Sequence, residues 1–110
     1  ETENILNTQL FDQLPEGASI INVARGRHLV EDDLLAALDR GKLDGAVLDV
    51  FREEPLPRDH PVWAHERIII TPHVAAQTIP ATGAQAIADN LAGITRGEIS
   101  AAEIDPARGY

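Results

Sequence analysis

An α/β fold built on a parallel sheet is the class this sequence predicts, and three observations carry the expectation. Short β-type runs alternate with helix-type segments along the chain, which is the pattern of βα units rather than of a bundle or a sandwich. Two of the runs, 46–51 and 68–70, are apolar almost without alternation, as strands covered on both faces are. Arg25, Glu54 and His73 each follow such a run in a loop, and in an open α/β sheet the ligand crevice lies off the carboxyl ends of the strands.

Taken in order, residues 6–14 read as a short helix, with Asn7 or Thr8 as its cap and Pro15 with the Gly17 turn as its stop. Residues 19–23 read as a strand. A second helix spans 31–40: Glu31, Asp32 and Asp33 crowd its first turn, where negative charge suits the dipole, and Gly41 follows its last turn. Leu34, Leu35 and Leu38 form its buried stripe. The second strand is 46–51, with Asp49 as its polar interruption, and the third is 68–70. Between them, 52–66 holds Pro55, Pro57 and Pro61 and is a loop long enough to be suspected of function. The last helix starts near Pro80, a residue suited to a first helical position, and ends before Gly97, with Ala84, Ile87, Ala88, Leu91 and Ile94 as its apolar face. No internal repeat or low-complexity tract interrupts this order.

Composition narrows the function. The 110 residues are 44% hydrophobic and 25% charged, which fits one globular unit with a modest core. The net charge of −9 and the lack of a basic run argue against nucleic acid or an anionic membrane surface as a partner. Arg25, Arg27 and His28 form one compact basic cluster, of which Arg27 and His28 read as solvated loop residues. With no cysteine there is no disulfide, thiolate or cysteine–zinc chemistry. No apolar run reaches the roughly 20 residues of a membrane span, so a cytoplasmic protein is the default. Methionine is absent, position 1 included, and the sequence is read as a processed, trimmed or incomplete chain.

Four segments stand in a fixed order: Leu14-Pro15-Glu16-Gly17-Ala18, Asn22-Val23-Ala24-Arg25-Gly26, Leu48-Asp49-Val50-Phe51 running on to Glu54-Pro55, and Thr71-Pro72-His73. In these the chain resembles the NAD(P)-dependent D-2-hydroxyacid dehydrogenases. The forms His60-Pro61-Val62-Trp63, Pro72-His73-Val74-Ala75-Ala76-Gln77-Thr78 and the ending Ala107-Arg108-Gly109-Tyr110 are most similar to the glyoxylate/hydroxypyruvate reductase A subgroup. The resemblance implies the second half of a doubly wound Rossmann-type NAD(P)-binding domain over 1–97, with 98–110 as a tail returning toward an absent substrate domain. No GxGxxG is present, nor the residue that would follow it to read the ribose, and family members carry both upstream. The chain alone is therefore expected neither to bind dinucleotide tightly nor to turn over, and either to self-associate through an unpaired edge or to be accompanied by the remainder of a longer protein.

The same resemblance assigns roles. Reducing a 2-oxo acid takes a hydride from NAD(P)H, a proton for the developing alkoxide, and a cation to hold the carboxylate and polarise the ketone. Arg25 fits the last role, since a planar guanidinium grips a carboxylate and still reaches the neighbouring carbonyl; its structural alternative is a salt bridge. His73 is the acid/base, and Glu54 is the carboxylate that would fix its tautomer and favour its protonated form. The family pattern puts the catalytic glutamate just before proline, which selects Glu54 and leaves Glu53 solvated. Asp49 resembles the residue that bonds the nicotinamide carboxamide, its alternative being a strand-end residue. Val23, Ala24 and Arg25, with His73, Val74, Ala75 and Ala76, are implied to line the nicotinamide side of the cofactor, NAD or NADP with NADPH favoured. A homodimer acting on small 2-oxo and 2-hydroxy acids is implied with it.

Other classes fit less well. His60, His65 and His73 lack a metal-ligand spacing, so no metal is expected. Ser19 and Ser100, the only serines, sit in no GxSxG elbow. The alternative of a different class is a non-catalytic fragment or binding module that keeps the family sequence without its cofactor cleft.

Overall fold

A computed structural model describes residues 2–98. The chain forms two compact units, Glu1–Ala76 and Gln77–Tyr110. In the first, helix α1 (Thr8–Gln13), strand β1 (Ala18–Asn22), helix α2 (Glu31–Asp39), strand β2 (Leu43–Leu48) and strand β3 (Ile68–Ile70) follow one another, with single 3-10 turns at Gly26–His28 and Pro61–Ala64. The strands form one sheet in the order β1-β2-β3, and both pairings are parallel. This is the expected α/β class.

Local chemistry explains the boundaries. Asn7, not Thr8, caps α1: its side-chain oxygen accepts from the Leu10 N–H at 3.1 Å. Thr8 instead gives its N–H to Asp33 Oδ2 at 2.7 Å, tying α1 to the first turn of α2. Gly41 closes α2 with φ +75°, a left-handed position that costs glycine little. Leu34, Ala37 and Leu38 are buried and Leu35 is half-buried, and with Phe11, Leu43 and Leu48 they build a core that lies on one face of the sheet.

Two expectations need correction. Strand β2 begins at Leu43 and stops at Leu48, three residues earlier at each end than the run 46–51 suggested. Val50 and Phe51 are indeed buried, but outside the ladder: burial, not pairing, made that stretch apolar. The near-unbroken apolar runs also predicted cover on both sheet faces. Only one face is covered among the described residues, and Ile21 and Ile69 are 67% and 63% exposed on the other. Strand β1 pairs with β2 alone, so its other edge is unpaired among these residues.

In the second unit, helix α3 spans Pro80–Thr95, with Pro80 in its first turn and Gly97 (φ +75°) just past its end. Its apolar face at Ala84, Ile87, Ala88, Leu91 and Ile94 keeps helical spacing, yet all five are exposed rather than buried among the described residues. The tail proposed for 98–110 lies, from residue 99 on, outside the described residues.

Candidate active site

Register puts the carboxyl ends of the three strands at one level: Asn22 pairs with Leu48, and Leu48 pairs with Ile70. The loops that carry Arg25, Glu54 and His73 therefore leave the same edge of the sheet. The Thr71 N–H still donates to the Leu48 carbonyl at 3.0 Å, after which the chain turns away.

That turn is organised by Asp49. Its carboxylate is 1% exposed and stands one residue past the end of β2. Oδ1 accepts the Thr71 hydroxyl and the Val74 N–H, the latter at 3.0 Å, and Oδ2 accepts the Ala75 N–H at 3.0 Å. His73 lies inside this clamp with φ +54°, a left-handed conformation that costs a non-glycine residue about 1–3 kcal/mol and persists only where its surroundings impose it. The hydrogen bond from the Thr71 hydroxyl is the largest influence holding the Asp49 carboxyl below its ordinary value, and the Ala75 and Val74 N–H groups add to it against the opposing effect of burial.

Above the turn, His73 Nδ1 stands 2.8 Å from Glu54 Oε2, and Glu54 Oε1 accepts the Phe51 N–H at 2.9 Å. Glu54 is held below its ordinary value first by the bond from His73 and then by that from Phe51, so it is an ionised acceptor. An ionised carboxylate accepts only, so Nδ1 carries the proton in this pair and Nε2 is the free end of the ring. Glu53 is exposed and takes no part. The His73 side chain remains 53% exposed.

Arg25 sits at the loop after β1. Asn22 shapes that loop, its side chain accepting the Ala24 N–H at 3.2 Å and donating to the Arg25 carbonyl at 3.0 Å. The guanidinium bonds the Ala24 carbonyl at 2.7 Å and makes no ion pair among the described residues. The salt bridge considered as its alternative is not formed among the described residues, and the cation is exposed. No bond joins Arg25 to Glu54 or His73, so the structure brings Glu54 and His73 together and leaves Arg25 on the neighbouring loop of the same edge. Val23 and Val74 are about half exposed, and Ala24, Ala75 and Ala76 are exposed, giving the edge small apolar residues on which a flat ring could lie.

Sequence reasoning missed two features. One is the Thr71 hydroxyl, which a signal could have found: a lone aspartate at the end of an apolar strand needs donors, and Thr71 ends the neighbouring strand. The other is a pocket of about 340 Å³ beside the pair, walled by Phe51, Leu56 and Trp63 as well as Glu54 and His73. The Trp63 indole N–H donates to the Pro57 carbonyl at 2.8 Å, a bond inside the proline loop with no sequence signal. Among the described residues no group of three or more histidines and acids could hold a metal, and no helix is long and apolar enough to cross a membrane.

Acid should reveal these carboxylates in stability. Both have folded values below their ordinary 3.8 and 4.5, so the stability they confer is complete above those values and is lost as pH falls through the lowered ones. Asp49→Asn and Glu54→Gln are each expected to lower the urea midpoint near pH 6 and to flatten its fall toward about pH 3. Variant and parent curves that stay parallel throughout would contradict this assignment.

Residues 1–75 match the family described as D-isomer specific 2-hydroxyacid dehydrogenase, NAD binding domain. Among solved structures, the chain is similar to a D-isomer specific 2-hydroxyacid dehydrogenase from Xanthobacter autotrophicus Py2 in complex with NADPH and MES. The two are 44% identical over 99% of this chain and 45% of that one, with a TM-score of 0.91. It is similar too to an NADPH-dependent glyoxylate/hydroxypyruvate reductase from Sinorhizobium meliloti, solved with NADP and sulfate: 37% identity, 99% and 36% coverage, TM-score 0.88. A family protein from Klebsiella pneumoniae 342 is 45% identical over 94% of this chain and 33% of its own, with a TM-score of 0.82. The chain thus spans from 33% to 45% of the length of these structures. With a parallel sheet whose strand ends carry Arg25, Glu54 and His73, it belongs to the NAD-binding domain family of the D-isomer specific 2-hydroxyacid dehydrogenases.

Proposed function

We infer that this chain is the carboxyl-terminal part of an NAD(P)-dependent oxidoreductase that reduces a small 2-oxo acid, glyoxylate or hydroxypyruvate in kind, to the D-2-hydroxy acid. The observation that carries the reading is the His73 Nδ1–Glu54 Oε2 pair at 2.8 Å, standing half exposed at the carboxyl edge of a parallel sheet. When bound, the cofactor supplies a hydride to C2 of the substrate. Arg25 grips the substrate carboxylate and draws electron density from the ketone oxygen. His73, doubly protonated, gives its Nε2 proton to the alkoxide oxygen as the C–H bond forms, and the Glu54 carboxylate stabilises the imidazolium until that transfer.

On the cofactor side the reading uses Val23, Ala24, Arg25, His73, Val74, Ala75 and Ala76 as the nicotinamide floor. Asp49 offers the carboxamide what its three loop donors leave, one acceptor position of about four. NADPH is favoured over NADH because two of the similar structures are described with NADPH or NADP. The choice of substrate leans on the Sinorhizobium meliloti reductase and on the His60-Pro61-Val62-Trp63 segment. Residues 1–97 as half of the cofactor domain, 98–110 as a tail and a homodimer belong to the same reading by family resemblance, and a cytoplasmic location belongs to it as the default read from the sequence.

Oxidation of NADPH and NADH by the purified whole protein, with a panel of 2-oxo acids, is the test. Arg25→Ala should raise KM for the acid and lower kcat/KM by about 10²–10³-fold, a loss of a charge-assisted contact that tightens in the transition state, and Arg25→Lys should recover only part of it. A protein that oxidises neither cofactor with any acid in the panel and binds no dinucleotide is instead the non-catalytic fragment or binding module without a cofactor cleft.

A further inference from the structure

Every donor that the buried Asp49 carboxylate accepts comes from the 71–75 turn, and His73 is the residue that this turn carries. Two of the three donors are backbone N–H groups, of Val74 and Ala75. Thr71 supplies the third through its side chain, from a strand end already fixed by its N–H to the Leu48 carbonyl. Thr71 also accepts the His73 N–H on its carbonyl at 3.1 Å. One residue therefore ties the left-handed His73 both to the end of the sheet and, through its hydroxyl, to Asp49 beneath.

We propose that Thr71 is a positioning residue for the acid–base pair: its hydroxyl, bonded to Asp49, locks the turn in the one conformation that aims His73 Nδ1 at Glu54 Oε2 and leaves Nε2 facing outward. The assignment rests on the reductase reading for its kinetic consequence, but not for its geometry. His73 is half exposed and lies outside the core cluster, and two hydrogen-bonded anchors define its direction: Glu54 on the ring and the Thr71–Asp49 bond under the backbone. Removing the hydroxyl leaves Asp49 buried with two donors and frees the turn to relax from a strained φ, which moves the ring relative to Glu54. A displacement of about 1 Å at a catalytic group is enough to cost turnover without touching substrate binding.

Thr71→Val, close in shape but without the hydroxyl, and Thr71→Ser, which keeps it, separate this from a merely structural role. In the whole enzyme Thr71→Val should lower kcat by about tenfold or more while KM for the 2-oxo acid stays within about twofold, and Thr71→Ser should restore kcat. A second readout needs no activity: the Nδ1 proton of a histidine bonded to a carboxylate gives a far-downfield proton resonance, assigned here by its loss in His73→Asn. Thr71→Val should broaden or abolish it and Thr71→Ser should keep it; Thr71→Ala reads the same if the valine variant does not fold. The resonance responding as stated in a protein that reduces no 2-oxo acid upholds the positioning role while the reductase reading fails. A Thr71→Val protein with unchanged kcat and an unchanged resonance overturns the proposal, as does a loss that Thr71→Ser does not rescue.

Discussion

Replacing His73 should cut turnover in the reductive direction by about 10²–10⁴-fold, the usual worth of a positioned general acid. The variant matters, because His73 has φ +54° and an alanine there adds backbone strain to the lost imidazole. Asparagine tolerates the left-handed region and is the cleaner replacement. In His73→Asn the fold should survive, since the side chain is half exposed and lies outside the core cluster, and Glu54 should lose the largest influence holding its carboxyl below the ordinary 4.5. Stopped-flow measurement of the hydride step in whole enzyme, saturated with cofactor and acid, checks this. A rate within about threefold of the parent would mean that another group delivers the proton.

How far the sequence foretold this site depends on how local each determinant is. Helices and strands were legible because period and caps are local: Asn7, Pro15, Gly41, Pro80 and Gly97 all act within a few residues of the ends that they set. The end of β2 was not, because what stops it is Asp49 turning to serve donors 22 to 26 residues later. Val50 and Phe51 read as strand because burial and pairing leave the same mark on a sequence. Glu54 was separated from Glu53 only by the proline after it, whereas in the fold the Phe51 N–H and the His73 ring single it out. The exposed faces of Ile21, Ile69 and α3 show the converse: an apolar pattern states that cover is needed, not where the cover comes from.

The second large effect concerns Gly26, where the loop of Arg25 crosses the loop of Glu54. A Cβ on Gly26 would stand 1.9 Å from the Phe51 carbonyl carbon, 2.0 Å from its oxygen and 2.5 Å from the Arg52 nitrogen. All three are backbone atoms, so no rotamer change relieves the clash, and one loop must move. Neither is free to. The Phe51 N–H is held by Glu54 and the Arg52 N–H by Glu31 at 3.1 Å, while Arg25 and Gly26 accept the N–H groups of His28 and Leu29 at 3.1 and 3.0 Å. Gly26→Ala is therefore expected to destabilise by more than about 3 kcal/mol, in the range reserved for overpacking and broken networks. Gly41→Ala makes the control: its φ of +75° carries a strain of about 1–2 kcal/mol, but its Cβ meets nothing within 4 Å. Urea midpoints of the two variants, measured side by side, decide the matter, and a Gly26→Ala protein no less stable than Gly41→Ala would show that the loops yield. Their contact has a functional sense as well. With no bond joining Arg25 to Glu54 or His73, the backbone approach at Gly26 is what sets the cation's loop against the segment that carries the carboxylate, and the absence of a side chain at Gly26 is what permits it.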